Sequence, residues 1–149
     1  MSDPLTFESL NPSSPYVDTV VRWIYTEWSK ENGDSEEEIG TKLFQDQDVP
    51  PSQVALYKNS LAGFVWISRF TKPEDDDPTL WINGLYVDKP FRRQGIGQAL
   101  IRIAEHLSEE FEDSLFAYTN IPGYYLKSGW SINKERDEKN NAVVVRKIN

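Results

Sequence analysis

The stretch between Thr79 and Phe111 constrains this 149-residue chain more than any other. It predicts a strand rich in β-branched and aromatic residues over 79–87, a proline-containing connector, a glycine-rich turn and a long amphipathic helix over 95–111. A strand that feeds through such a turn straight into a helix builds an anion site. Backbone N–H groups and the positive end of the helix dipole converge there. Gly95 and Gly97 let the main chain approach a ligand with no Cβ in the way, and Arg92 and Arg93 add positive charge. Inside the strand, Gly84 has no side chain to pack, which marks a bulge or a close approach to the backbone. Spacing excludes two competing phosphate motifs. There is no GxxxxGK(S/T), and Gly95-Ile-Gly-Gln-Ala-Leu100 lacks the third glycine of a dinucleotide fingerprint.

Composition narrows the chemistry. The chain has no cysteine and one histidine, His106, so cysteine-ligated metal sites, a cysteine nucleophile and clusters of imidazole ligands are excluded. A metal is not expected. His106 shares the polar face of its helix with Arg102, Glu105 and Glu109, so it is expected in solvent and not in a Ser-His-Asp triad. A net charge of −8 disfavours phosphate backbones, and no apolar run is long enough to span a membrane. The amino terminus lacks the pattern of a signal peptide, which together with the missing cysteines leads us to expect a cytoplasmic protein.

Along the chain, 5–10 predicts a short strand. Ser14 and Pro15 predict an N-cap and first position for a helix over 15–30, with Val17, Val20, Val21, Ile24 and Trp28 on its buried face. Asn32-Gly33-Asp34 ends it. Ser35 and Glu38 form a capping box ahead of a second helix that buries Ile39, Leu43 and Phe44. Segments 53–58 and 61–69 predict a hairpin about Asn59-Ser60, and 73–78 a loop. The third helix carries Ile96, Leu100, Ile103, Ala104, Leu107 and Phe111 as its apolar stripe. A strand over 115–119, a short helix over 122–128 and strands over 130–134 and 142–147 complete the chain. The expected architecture is one α/β (α+β) domain over 1–149, with a mixed, mostly antiparallel central sheet of about seven strands and about four flanking helices.

The turn Arg92-Arg-Gln-Gly95-Ile-Gly97 matches a pattern of Arg or Gln, two residues, Gly, one residue, then Gly or Ala. Downstream, Asn120-Ile-Pro-Gly-Tyr124-Tyr-Leu-Lys-Ser-Gly-Trp130 sets an aromatic-Tyr pair before a lysine and a Gly-aromatic pair. In these two signatures, separated by one helix and one strand, the sequence resembles the GNAT superfamily of acetyl-CoA-dependent N-acetyltransferases. The motifs cover about residues 80–130, and the element order is similar from end to end.

The resemblance implies that acetyl-CoA, as cosubstrate, lies between the strands at 79–87 and 115–119. It implies binding at Leu85, Tyr86 and Val87, with the backbone of Leu85 and Val87 pairing with the pantetheine arm. Arg92 and the main-chain N–H groups of Arg93, Gln94, Gly95, Ile96, Gly97 and Gln98 would hold the pyrophosphate, and Asn120 the pantetheine or a bridging water. Gly84 falls where the family's fourth strand bulges, aiming an N–H at the thioester oxygen. Tyr125 would lie near the thioester sulfur as general acid. Many relatives carry a glutamate at the position of Asn83, which cannot take a proton. Deprotonation then runs through water, ordered by Asn83, a backbone carbonyl or an acidic group such as Glu27. Without cysteine there is no acetyl-cysteine intermediate, so direct transfer in a ternary complex to a primary amine is expected.

Glu31, Asp34, Glu36, Glu37, Glu38, Asp46 and Asp48, then Glu74 to Asp77, are either solvated surface charges or an acidic rim that draws a small cationic amine. Two alternatives stay open: an enzyme acting on protein N-termini or lysines, and a non-catalytic acyl-CoA sensor. The expected partners are acetyl-CoA and an amine, not nucleic acid or membrane, in a monomer or homodimer.

Overall fold

The structure, a computed structural model, describes residues 4–30, 33–71 and 77–148. In chain order the elements are β1 (Leu5–Ser9), α1 (Val17–Ile24), α2 (Glu36–Leu43), β2 (Gln53–Tyr57), β3 (Ser60–Thr71), β4 (Pro78–Val87), α3 (Ile96–Ser108), β5 (Ser114–Thr119), α4 (Pro122–Leu126), β6 (Ser131–Lys134) and β7 (Ala142–Lys147). The strands form one sheet in the order β1-β2-β3-β4-β5-β7-β6. Neighbours are antiparallel except β4 and β5, which run parallel and are joined by the crossover helix such a pair requires. This is the mixed, mostly antiparallel α/β architecture that the element order predicts.

Each face of the sheet carries a core. On one, α3 and α4 pack Ile96, Leu100, Ile101, Ala104 and Tyr125 against Val65, Ile67, Leu80, Ile82 and Leu115. On the other, α1 and α2 set Val20, Ile24, Ile39 and Leu43 against Val54, Phe64 and Trp66. Strand alternation sorts Val65 and Ile67 to the first core and Phe64 and Trp66 to the second.

β4 changes parity in mid-strand, and this positions the site. Trp66 lies opposite Gly84 but Ile67 lies opposite Ile82, which leaves Asn83 without a partner. The bulge expected at Gly84 therefore centres on Asn83. It puts Leu80 and Ile82 on the α3 face before it and Leu85 and Val87 on that same face after it. Pairing with β5 stops at the same place: Leu80, Trp81 and Ile82 are opposite Leu115, Phe116 and Ala117, and beyond them the strands part.

Helix one departs from expectation at both ends. The Ser14 hydroxyl accepts from the Asn11 N–H at 3.0 Å within a turn, and α1 starts at Val17 with no side-chain cap. Asn11 and Ser14 satisfy each other locally, so Ser14 is not available to the helix. At its far end α1 widens into a π turn over Tyr25–Ser29. The buried line through Val20, Val21 and Ile24 would reach Trp28 at α-helical spacing. The wider turn gives the buried place to Ser29, 7% exposed, and leaves Trp28 41% exposed.

Elsewhere the local signals hold with small shifts. The Ser35–Glu38 capping box forms, with bonds of 3.1 and 3.2 Å. The hairpin turns on Lys58 and Asn59, not Asn59 and Ser60; both have left-handed φ, 50° and 69°, as a type I′ turn demands. α3 stops at Ser108, so Phe111 leaves its periodicity and is exposed, while Ile101 and Ser108 are buried. Glu105, expected in solvent, accepts from Trp130 Nε1 at 3.4 Å and pairs with Arg146 at 3.2 Å. The expected loop at 73–78 and the expected stop at Asn32-Gly33-Asp34 lie partly outside the described residues, and Glu31, Glu74, Asp75 and Asp76 lie wholly outside them.

Candidate active site

α3 opens with its amino-terminal N–H groups uncapped. Its N-cap is Gly95, left-handed at φ +78°, and no side chain bonds to the first turn. Arg93, two residues earlier, is also left-handed at φ +65°. Main-chain N–H groups in this conformation line a concave turn at the positive end of the helix. A Cβ at Gly95 would meet nothing, so the residue serves backbone conformation alone. Gly95→Ala is therefore expected to cost about 1–2 kcal/mol from left-handed strain, without a clash, read from urea unfolding. An unchanged midpoint would remove that reason for the glycine.

Gly97 has a different reason. A Cβ there would overlap the Tyr124 hydroxyl, so the glycine seats that ring on the first turn of α3. Gln98 reinforces the contact. Its Nε2 donates to the Tyr124 carbonyl at 2.9 Å, and its Oε1 accepts from the Ser128 hydroxyl. The side chain of Gln98 is thus committed to holding α4 against α3. Arg92 is likewise partly committed: its Nε donates to the Val87 carbonyl at 2.8 Å and its guanidinium lies 5.5 Å from the Tyr86 ring.

Two cavities adjoin where β4 and β5 part. One, of about 940 Å³, is lined by Tyr86, Val87, Arg92, Arg93, Gly95, Ile96, Gly97 and Gln98. The other, of about 820 Å³, is lined by Asn83, Gly84, Asn120 and Tyr125. Leu85, Trp28 and Ile121 line both. The Asp88 N–H bonds to Ala62 on β3, so strand alternation turns the main chains of Leu85 and Val87 away from β3 and toward the gap. Twelve of the thirteen residues singled out in the sequence line one of these cavities or both, Asn120 beside Asn83 and Tyr125; Gln94 lines neither and is exposed.

Tyr125 is 4% exposed and stacks edge-on against Trp130 at 5.0 Å. Its phenol has no hydrogen-bond partner among the described residues. Burial, and then the neighbouring Tyr124, push its pKa well above the ordinary tyrosine value. The group therefore keeps its proton through neutral and mildly alkaline pH. Burial also raises Tyr124.

No carboxylate among the described residues lines the cavity of Asn83 and Tyr125. Glu27 lines the other one, where its charge acts on Tyr86, a phenol raised first by burial and then by Asp88 and Glu27. Glu36, Glu37 and Glu38 on α2 line neither cavity, Asp34 pairs with Lys42 at 2.9 Å, and Asp46 accepts the Arg69 N–H at 3.0 Å. His106 is exposed, with its Nδ1 3.9 Å from Glu109, and lines neither cavity. Sequence reasoning missed Trp28, Trp81, Lys134 and Lys139 in the first cavity, and Arg102, Glu105, Lys127 and Arg146 in the second. Trp28 left one readable trace, the glycine at position 84: its ring lies 3.4 Å from where a Cβ there would be.

Solved structures share this fold along nearly its whole length. An aminoglycoside 6'-acetyltransferase of type Ii superposes with a TM-score of 0.75 at 17% identity, over 97% of each chain. An aminoglycoside 6'-N-acetyltransferase complexed with coenzyme A gives 0.75 at 15%, also over 97% of each. Naa50 of Arabidopsis thaliana, in complex with the bisubstrate analogue CoA-Ac-MVNAL, gives 0.66 at 14%, over 97% of this chain and 99% of that one. Among curated proteins there is no significant sequence match. The model of the acetyltransferase (GNAT) family, however, matches residues 17–124, the span that holds α1, the bulged β4, the uncapped start of α3 and Tyr124. The chain therefore belongs to the acetyltransferase (GNAT) family, and with it to the enzymes that take an acetyl group from acetyl-CoA.

Proposed function

We propose that this protein is an N-acetyltransferase that moves the acetyl group of acetyl-CoA to a primary amine by direct transfer in a ternary complex. One juxtaposition carries the reading. The gap that opens at Asn83 has the uncapped start of α3 on one side and, on the other, the buried phenol of Tyr125, which has no hydrogen-bond partner among the described residues. The residues present fit the cosubstrate: N–H groups and Arg93 for its pyrophosphate, the exposed main-chain edge of Leu85 and Val87 for its amide-bearing arm.

The roles of the side chains follow from their chemistry. Tyr125 donates its proton to the departing thiolate as the C–N bond forms and the C–S bond breaks, and solvent returns the proton that the new amide nitrogen loses. The carboxamide of Asn83 cannot take a proton, so Asn83 and Asn120 order the water that accepts one from the incoming ammonium. The chain has no cysteine to carry the acetyl group, which supports a single displacement. The test is release of free thiol from acetyl-CoA over a panel of amines, beside thermal stabilisation by acetyl-CoA. Stabilisation and amine-dependent release are expected. Stabilisation without release on any amine would turn the reading into that of an acyl-CoA sensor.

A further inference from the structure

We propose that Glu105 is a positioning residue for the proton donor, and that through Trp130 it sets the place of the Tyr125 ring. This deepens the acetyltransferase reading and rests on it. No hydrogen bond among the described residues orients the Tyr125 phenol, so the packing of the ring has to aim it. The nearest ring is Trp130, 3% exposed, at 5.0 Å and 62° to Tyr125. The backbone N–H of Trp130 also donates to the Tyr125 carbonyl at 3.3 Å.

Trp130 is in turn fixed from α3. Its Nε1 donates to Glu105 Oε2 at 3.4 Å, while Glu105 Oε1 pairs with Arg146 Nε at 3.2 Å. Arg146 Nη1 then donates to the Gly129 carbonyl at 2.7 Å. Glu105 therefore grips the segment after α4 twice, once through the indole and once through the guanidinium. Gly129 lets the guanidinium close in: its φ is +91°, and a Cβ there would overlap Arg146 Nη1. Gln98, seven residues before Glu105 and so on the same face of α3, holds the other end by the Tyr124 carbonyl and the Ser128 hydroxyl. Tyr125 lies between these anchors. The helix whose start would hold the pyrophosphate thus also fixes the acid.

Stability alone is a poor reason for this carboxylate. The Glu105 side chain is only 15% exposed, and a buried ion pair gains little over apolar packing of the same volume. What the pair adds is direction, because its bonds hold the indole at one angle beside the phenol. A general acid must lie within hydrogen-bond reach of the atom it protonates, and a misplacement of about 1 Å can cost about a hundredfold in rate.

The test measures kcat for Glu105→Ala in the wild-type and in a Tyr125→Phe background, by thiol release at saturating acetyl-CoA. Each rate is divided by the acetyl-CoA-binding sites counted in a calorimetric titration, so loss of folded enzyme cancels. With Tyr125 present we expect kcat to fall by about ten- to a hundredfold and Kd for acetyl-CoA to change by less than about threefold. In the Tyr125→Phe background the same substitution should cost less than about twofold, because that ring has no proton to misplace. Trp130→Phe removes the donor from the other end of the bond and should repeat the pattern with a smaller loss. It carries the test alone if Glu105→Ala gives no protein that binds acetyl-CoA. An equal loss in both backgrounds, or no loss in either, overturns the proposal and leaves the acetyltransferase reading standing. Wild-type turnover in Tyr125→Phe overturns it together with the acid, while amine-dependent release still supports acetyl transfer. A chain that acetylates no amine at all overturns both.

Discussion

Tyr125→Phe is expected to lower kcat by about two to four orders of magnitude, the usual worth of a positioned general acid, and to leave the Kd for acetyl-CoA nearly unchanged. The substitution isolates the proton. The phenyl ring retains its edge-on packing against Trp130 at 5.0 Å, and the hydroxyl it loses has no partner among the described residues. Stability should therefore stay within about 0.5 kcal/mol of wild type. The direction of the pKa shift adds a second readout. An ordinary tyrosine loses its proton near about pH 10, and burial moves Tyr125 upward, so the wild-type enzyme should show no alkaline loss from this group below that range. Wild-type turnover in the Phe variant would remove Tyr125 from the mechanism. An alkaline limb below about pH 9 that vanishes with the hydroxyl would instead keep Tyr125 in the mechanism and overturn its raised pKa, because the phenol would then be titrating in the ordinary range or lower.

Gly97→Ala is expected to impair cosubstrate binding through Tyr124. The added Cβ falls on the Tyr124 hydroxyl and 3.1 Å from the ring carbon that bears it. Two responses are open to the ring. It can hold its place at an overpacking cost of about 1–3 kcal/mol, or swing into the adjoining cavity where the pyrophosphate and pantetheine would lie. Either lowers apparent affinity for acetyl-CoA, by lost folded enzyme or by occlusion, and calorimetric titration beside urea unfolding tells them apart. The cost should shrink in a Tyr124→Phe background, which removes the clashing oxygen, with a coupling of about 1 kcal/mol. An alanine variant with wild-type stability and wild-type affinity would refute the account. The contrast with Gly95, where a Cβ meets nothing and only φ is at stake, shows that two glycines of one motif hold their places for unrelated reasons.

Features governed by a few consecutive residues were legible in the chain. The capping box of Ser35 and Glu38, the strand–turn–helix around Gly95 and the ordering of strands and helices each follow from bonds and periodicities spanning about four residues or fewer. Pairing Asn83 with Tyr125 in one cavity was legible too, through the resemblance carried by two motifs. Where the local reading failed, a distant partner or a change of helical pitch intervened. Trp28 fits the apolar stripe of helix one, yet the π turn hands its buried place to Ser29 and sets its ring over Gly84. Glu105 has the spacing of a solvent-facing residue, but Trp130 and Arg146, 25 and 41 positions away, draw it in; burial raises its pKa first, against the lowering effect of those partners.

By itself the sequence determined that this chain forms a mixed sheet with a helix starting at a bare, glycine-lined turn, and that no cysteine carries the reaction. Those outcomes rest on φ preferences, caps and side-chain periods, which act within a turn or a strand. Only the tertiary structure decided which described charges line the space where β4 and β5 part. Of the acidic residues behind the expected rim, Glu36, Glu37 and Glu38 line neither cavity, Asp34 and Asp46 bond to Lys42 and to the backbone of Arg69, and Glu31, Glu74, Asp75 and Asp76 lie outside the described residues. The carboxy-terminal hairpin instead carries Lys134 and Lys139 to the place where β4 parts from β5. Charge acts through space, and the distance between Asn83 and Lys139 is set by strand order, which pairs β7 with β5 and so closes more than fifty residues of chain onto one site.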